Sequence, residues 1–154
     1  MGPVLVFATT ADGAIDRVSL QALTLGCSLA AGGPVHALLI DDGSDPSGDE
    51  SLAAEIGGYG ATAVHVASHP SLTSFAPDAM ARIVDDLAMS LGAEAVVGAG
   101  TEAGNTVMAR ASARAGLPFA ANCIAASPGN PLTVTRLRWG GSLLEEAAID
   151  VLKV

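Results

Sequence analysis

Aromatic residues are nearly missing from this chain: Phe, Trp and Tyr make up 3% of its 154 residues, against an apolar content of 50%. A core of this composition must be built from Ala, Val, Leu and Ile, and eighteen glycines point to helices and sheet packed closely together. Basic residues are scarce as well, seven Lys and Arg against sixteen Asp and Glu, for a net charge of -9. That balance argues against a grip on nucleic-acid phosphates and against binding to an anionic membrane surface. Only two cysteines occur, Cys27 and Cys123, far apart and outside any CxxC pair, which excludes a disulfide framework and fits buried thiols in a reducing compartment. No apolar run is long enough to cross a bilayer, and the first residues read as a strand with no basic leader, so a cytoplasmic protein is expected.

What is present is a repeated strand-turn-helix unit. Its clearest copy is Glu94 to Gly116. There Ala95-Val96-Val97 is too short for a buried helix, Gly98 and Gly100 break it, and Thr106 to Gly116 reads as a helix rich in Ala, Val, Met and Arg. Upstream, Val4 to Ala8 is apolar on both faces, as a strand covered on both sides must be, and Asp16 to Ala31 follows as a Leu-rich helix stopped by Gly32-Gly33-Pro34. Val35 to Ile40 is a second strand, Asp41 to Asp49 reads as a mobile loop, and Glu50 to Tyr59 as a short helix closed by glycines. Ala63 to Ala67 is a third strand. Pro77 to Leu91 has proline suited to a first turn and an apolar stripe of Met80, Ile83, Val84, Leu87 and Leu91.

After Pro118 the pattern changes. Asn122 to Ala126, Leu132 to Trp139 and Ser142 to Leu152 read as extended segments, separated by Pro128-Gly129-Asn130-Pro131 and Gly140-Gly141. In the second, Leu132, Val134 and Arg136 fall on one face and Thr133, Thr135 and Leu137 on the other. The expected fold class is therefore α/β: a three-layer α/β/α arrangement with a mainly parallel, Rossmann-like sheet, and an antiparallel C-terminal extension at the sheet edge. Sites in such sheets lie beyond the carboxyl ends of the strands, here Ala8-Thr9-Thr10, Ile40-Asp41-Asp42 and Gly98 to Thr101.

Searching for chemistry at that rim returns little. Gly98, Gly100 and Gly104 are spaced one residue too widely for the dinucleotide fingerprint and sit on the fourth strand instead of the first, so a structural turn is expected; a P-loop is absent. His36, His65 and His69 lack metal-ligand spacing, no other metal set is evident, and His36 and His65 lie within apolar strands. Gly26-Cys27-Ser28 falls inside a helix and lacks the closing glycine of a nucleophile elbow. Asp41, Asp42, Asp45, Asp49 and Glu50 do not follow a calcium-loop pattern, and they and Asp85-Asp86 read as solvated surface. No nucleophile, base and orienter gather at one strand end, so a catalyst acting alone is not expected here.

The order of features resembles the N-terminal domain of the electron transfer flavoprotein α-subunit over nearly the whole chain. The resemblance is strongest at Glu94 to Asn105, with Ala109-Arg110, Ala113-Arg114 and Gly116-Leu117-Pro118 downstream, and at Arg138-Trp139-Gly140-Gly141-Ser142. Ser142 stands where the family usually has Asn, and Gly104-Asn105 where Gly-Lys or Gly-Arg is commoner. The resemblance implies one domain over residues 1–154 that packs against a β-subunit in a heterodimer, carrying electrons from acyl-CoA or other dehydrogenases to a membrane quinone oxidoreductase or another acceptor. It further implies that FAD is held by a C-terminal domain not contained in these residues, with none expected on them alone. The alternative is an AMP- or ATP-binding domain like the universal stress proteins or adenine nucleotide α-hydrolases, with nucleotide at Thr9, Asp41, Gly100 and Thr101, although the phosphate pattern of the ATP-binding stress proteins is absent.

Overall fold

The computed structural model describes residues 2–150. Its centre is a four-stranded parallel sheet of β1 (Val4–Phe7), β4 (Val35–Asp41), β5 (Ala63–Ser68) and β6 (Ala95–Gly98), in the order β5-β4-β1-β6. Val4, Leu5 and Val6 of β1 have no exposed surface, because β1 lies between two strands and both of its faces are covered. Each such side chain contributes about 1.5–3 kcal/mol on burial.

The covering is divided cleanly by side-chain alternation along the strands. On one face Val4, Val6, Val35, Ala37 and Leu39 pack with Leu23 and Leu29 of α1 (Arg17–Ala30) and Ile56 of α2 (Pro46–Gly58). On the other, Leu5, Phe7 and Leu38 pack with Val84 of α3 (Pro77–Leu91) and Val107 and Met108 of α4 (Glu102–Ala115). Three layers result, α/β/α, as the alternation of apolar runs and amphipathic stretches implies.

Three local readings need correction. The acidic stretch after β4 is not one long loop: Asp45 caps α2 by accepting from the Gly48 N–H at 3.0 Å and Pro46 opens the helix, so α2 begins four residues before Glu50. Asp85 is not part of a solvated face, since its side chain is 15% exposed and pairs with Arg114 of α4 at 3.2 Å; Asp86 is exposed. The C-terminal strands do not extend the parallel sheet. Instead β7 (Cys123–Ser127), β8 (Leu132–Arg138) and β9 (Leu143–Ile149) form a separate three-stranded antiparallel sheet in the order β7-β8-β9. Leu132 and Val134 do face inward as the alternation requires, joining the α1-side core with Ala126, Ala147 and Ile149. The last two residues of the segment read as Ser142 to Leu152 lie outside the described residues. A short hairpin, β2 (Thr10–Ala11) with β3 (Ala14–Ile15), occupies the turn after β1.

The parallel layer depends on close approach where side chains would intrude. A Cβ on Gly104 would lie 2.0 Å from the Ala99 carbonyl oxygen, so α4 can leave the β6 turn at this angle only with glycine there. Gly100 is exposed, and a Cβ there would meet only Val18 Cγ1 at 4.0 Å. Gly104→Ala is therefore expected to destabilise the fold by about 2–4 kcal/mol, and Gly100→Ala to stay within about 0.5 kcal/mol of wild type. Urea unfolding of the two variants side by side checks this; equal losses would mean that the β6–α4 turn tolerates a side chain after all.

Candidate functional site

The carboxyl ends of β1 and β4 open into a cleft of about 340 Å³ lined by Phe7, Thr9, Leu39, Asp41, Asp49 and Met80 among others. Thr9 enters it directly after β1, and its position is held by the start of α1. The Thr9 N–H donates to Ser19 Oγ at 2.8 Å, the Ser19 N–H donates to Asp16 Oδ1 at 2.7 Å, and the Thr9 hydroxyl donates to Asp16 Oδ2. Asp16 is the N-cap of α1, and Ser19 is fully buried. This polar knot satisfies its own donors, so its first task is to fix the helix to the strand end.

Asp41 closes β4 on the other side of the cleft. Its Oδ1 accepts from the Gly43 N–H at 2.7 Å, while its Oδ2 is buried and accepts no hydrogen bond. The charged groups around it are all acidic: Asp45 and Asp49 line the same cleft and Asp42 follows in the chain. Burial, and then interaction with the Asp41 carboxylate, push the Asp49 carboxyl above the usual aspartate value. Asp42 is drawn the other way, first by its side-chain hydrogen bond with Ser44. Such a rim offers acceptors to hydroxyl, amine or cationic groups and opposes the approach of phosphate.

The other two rim residues do not join this cleft. Thr101 is the N-cap of α4, its Oγ1 accepting from the Gly104 N–H at 3.0 Å. Gly100 lines a second, larger cavity of about 540 Å³ between α3, α4, β6 and the antiparallel sheet, shared with Asn105, Phe119 and Leu132. Thr9 and Asp41 therefore stand together, and Gly100 and Thr101 stand apart from them. Among the described residues no group of three or more His, Cys, Asp or Glu side chains is placed to hold a metal ion. Both cysteines are free and half-buried, and burial first of all raises the Cys123 thiol, which does not suit a nucleophile.

Two features escape sequence spacing. The parallel register sets Leu38 opposite His65 and His36 opposite Ala63, which brings the two imidazoles together with His36 Nδ1 and His65 Nε2 2.9 Å apart. The second feature is the outer face of the antiparallel sheet. Leu137 is paired with Leu144, and Trp139 stands at the hairpin tip, followed by Gly140 and Gly141. Trp139 is 81% exposed and Leu144 67%; Leu143 is exposed too, on the opposite face at the end of β9 beside Arg138, and Ile124 at the bulge of β7. Their apolar character was visible in the sequence; that they face outward was not.

A family model described as "Electron transfer flavoprotein domain" matches residues 4–154. Among curated proteins, 74 residues of the chain are 35% identical to "Acryloyl-CoA reductase electron transfer subunit beta" of Anaerotignum propionicum, a match over 48% of this chain and 20% of that protein. Among solved structures, the universal stress protein from Archaeoglobus fulgidus aligns with a TM-score of 0.47 at 18% identity, over 72% of this chain and 93% of that one. No helix among the described residues is long and apolar enough to cross a membrane.

The direction of the Asp49 shift fixes a pH dependence. A carboxyl whose value is raised on folding favours the fold while protonated, and that contribution is lost as pH climbs from the ordinary aspartate value through the higher folded one. Asp49→Asn is accordingly expected to raise the melting temperature at pH 7, with the gain shrinking toward pH 4. A gain that is the same at both pH values would show that Asp49 carries no strained charge.

Proposed function

Because the chain belongs to the electron transfer flavoprotein family, we propose that it is the N-terminal scaffold and docking domain of an α-subunit, supporting electron transfer from dehydrogenases together with a β-subunit. The α assignment is supported by the segments Glu94 to Asn105 and Arg138 to Ser142, which resemble that subunit. The curated relative carries the name of a beta subunit, so the assignment rests on those segments and not on its title. FAD is assigned to a C-terminal domain of the same subunit, outside these residues, and the acyl-CoA or other dehydrogenases to the assembled complex.

The observation that carries this reading is the apolar hairpin end of the outer face of the antiparallel sheet, where Leu137, Leu144 and Trp139 follow Thr133, Thr135 and Glu146. A face that pairs Leu137 with Leu144 and ends in an exposed tryptophan is costly to leave in water, and Trp is the residue most often found at the energetic centre of protein interfaces. The inner face is already occupied by the α1-side core, so this sheet is presented to a partner while the parallel layer holds it in place.

A second reading has one observation in its favour, the buried and unpartnered Asp41 Oδ2 in a cleft of about 340 Å³. Such an oxygen suits the ribose hydroxyls or the amino group of a nucleoside, so AMP, with less phosphate charge to set against Asp42, Asp45 and Asp49, is the better candidate than ATP.

The chain contains a single tryptophan, which makes the docking reading directly measurable. On mixing with an electron transfer flavoprotein β-subunit, the expected result is a one-to-one complex by size exclusion and a blue shift of Trp139 emission. Trp139→Ala is expected to weaken the complex by at least about tenfold. The purified chain is expected to be colourless. A flavin absorbance band in it, or unshifted emission in a complex that does form, would count against the proposal. Calorimetry with AMP and ATP tests the second reading, where Asp41→Asn should abolish any heat of binding.

A further inference from the structure

We propose that Asp41 and Asp49 form a proton-operated latch, in which one proton held between the two carboxyls ties the first turn of α2 to the end of β4 and its loss frees that turn. The two residues line one cleft, Asp41 as the last residue of β4 and Asp49 in the first turn of α2. Asp41 Oδ1 accepts from the Gly43 N–H at 2.7 Å, whereas Oδ2 is shut away from solvent and has no donor. A buried acceptor in that state is costly, and an ionised Asp49 beside it only adds further acceptors. A proton on Asp49 supplies the missing donor, and a hydrogen bond from a carboxyl to a carboxylate is of the stronger kind because one partner is charged.

No cation stands beside the pair to take the place of that proton. Among the described residues no Lys, Arg or His side chain lines the cleft. Asp45 lines it but accepts from the Gly48 N–H as the cap of α2, and Asp42 accepts from the Ser44 N–H at 2.9 Å. On the α1 side Asp16 is held by Thr9 and Ser19. Beyond β5 the His69 N–H donates to the Asp41 carbonyl, while the His69 ring Nδ1 accepts from the Ser71 N–H. From α3 and α4 only Met80 and Ala103 reach the cleft. In these surroundings the Asp49 carboxyl keeps its proton above the usual aspartate range, through burial first and its hydrogen bond with Asp41 next. The helix is built to respond, because its one buried residue, Ile56, lies toward its far end and Leu52 packs on the core only in part. The latch is therefore closed while Asp49 is protonated and opens as pH rises through the raised value.

Hydrogen exchange of the α2 amides, followed by NMR as protection relative to the intrinsic exchange rate at each pH, tests the latch. Between about pH 4 and about pH 7, protection over residues 49–52 is expected to fall by at least about tenfold, the effect of a shift of one pKa unit. Asp49→Asn carries a donor that does not titrate and should stay protected at both pH values, whereas Asp49→Ala has no donor and should be unprotected at both. Relief of charge repulsion alone would make the two variants alike, and that result overturns the proposal. Wild-type protection that does not change with pH overturns it as well, and this measurement needs no variant, so it stands even if a substitution impairs folding. The latch requires neither ligand nor partner, so its failure leaves the docking role untouched.

Discussion

The structure depends on one strand being covered on both faces. Val4, Leu5 and Val6 are fully buried because β1 sits inside the parallel sheet and receives α1 on one side and α4 on the other. With so few aromatic side chains, Phe7 is the one aromatic ring buried between the layers among the described residues, and tight packing is reached by bringing backbone close to side chain. Gly26 of α1 lies where a Cβ would be 2.6 Å from Val6 Cγ2, and Gly98 where one would be 2.4 Å from Met108 Cγ. The glycines are thus the complement of the aliphatic core: Gly26 on a helix accepts Val6 of a strand, and Gly98 on a strand accepts Met108 of a helix.

This packing also explains why the strand rim is poor in chemistry. Thr9, Asp16 and Ser19 bond to one another to lock α1 against β1, Asp45 caps α2, and Thr101 caps α4. These side chains beyond the strand ends are occupied with holding the next helix. What remains for a ligand is Asp41 Oδ2 beside the Asp49 carboxyl, an arrangement that favours donors and cations. On the docking role proposed above, the antiparallel sheet supplies the surface that is presented. That sheet is anchored by Leu132 and Val134 below and carries Leu144 and Trp139 above, so one alternating pattern serves both the core and the exposed face.

Much of this was legible from residue order alone. The four apolar runs, the amphipathic stretch of Met80, Ile83, Val84, Leu87 and Leu91, and the alternation from Leu132 to Leu137 each fix an element because burial of apolar groups imposes a period of 2 or about 3.6 on the chain. The start of α2 was misread because the acidic residues around Pro46 resemble a loop in composition, while the hydrogen bond from Gly48 to Asp45 that makes them a helix start is a matter of geometry. Asp85 was misread because the charge that draws it out of solvent, Arg114, lies on another helix.

The sequence by itself determined the four parallel strands, the main helices, their order, the aliphatic core and the family, since these follow from local periodicity and from motifs that are continuous in the chain. Tertiary structure alone decided that the last three strands form a sheet of their own, that Thr9 and Asp41 share a cleft without Gly100 and Thr101, and that His36 meets His65. The physical reason is that strand pairing is made by backbone hydrogen bonds common to all residues. Which strands become neighbours, and in what register, is therefore settled by packing of the whole chain, and every contact between distant side chains is inherited from that choice.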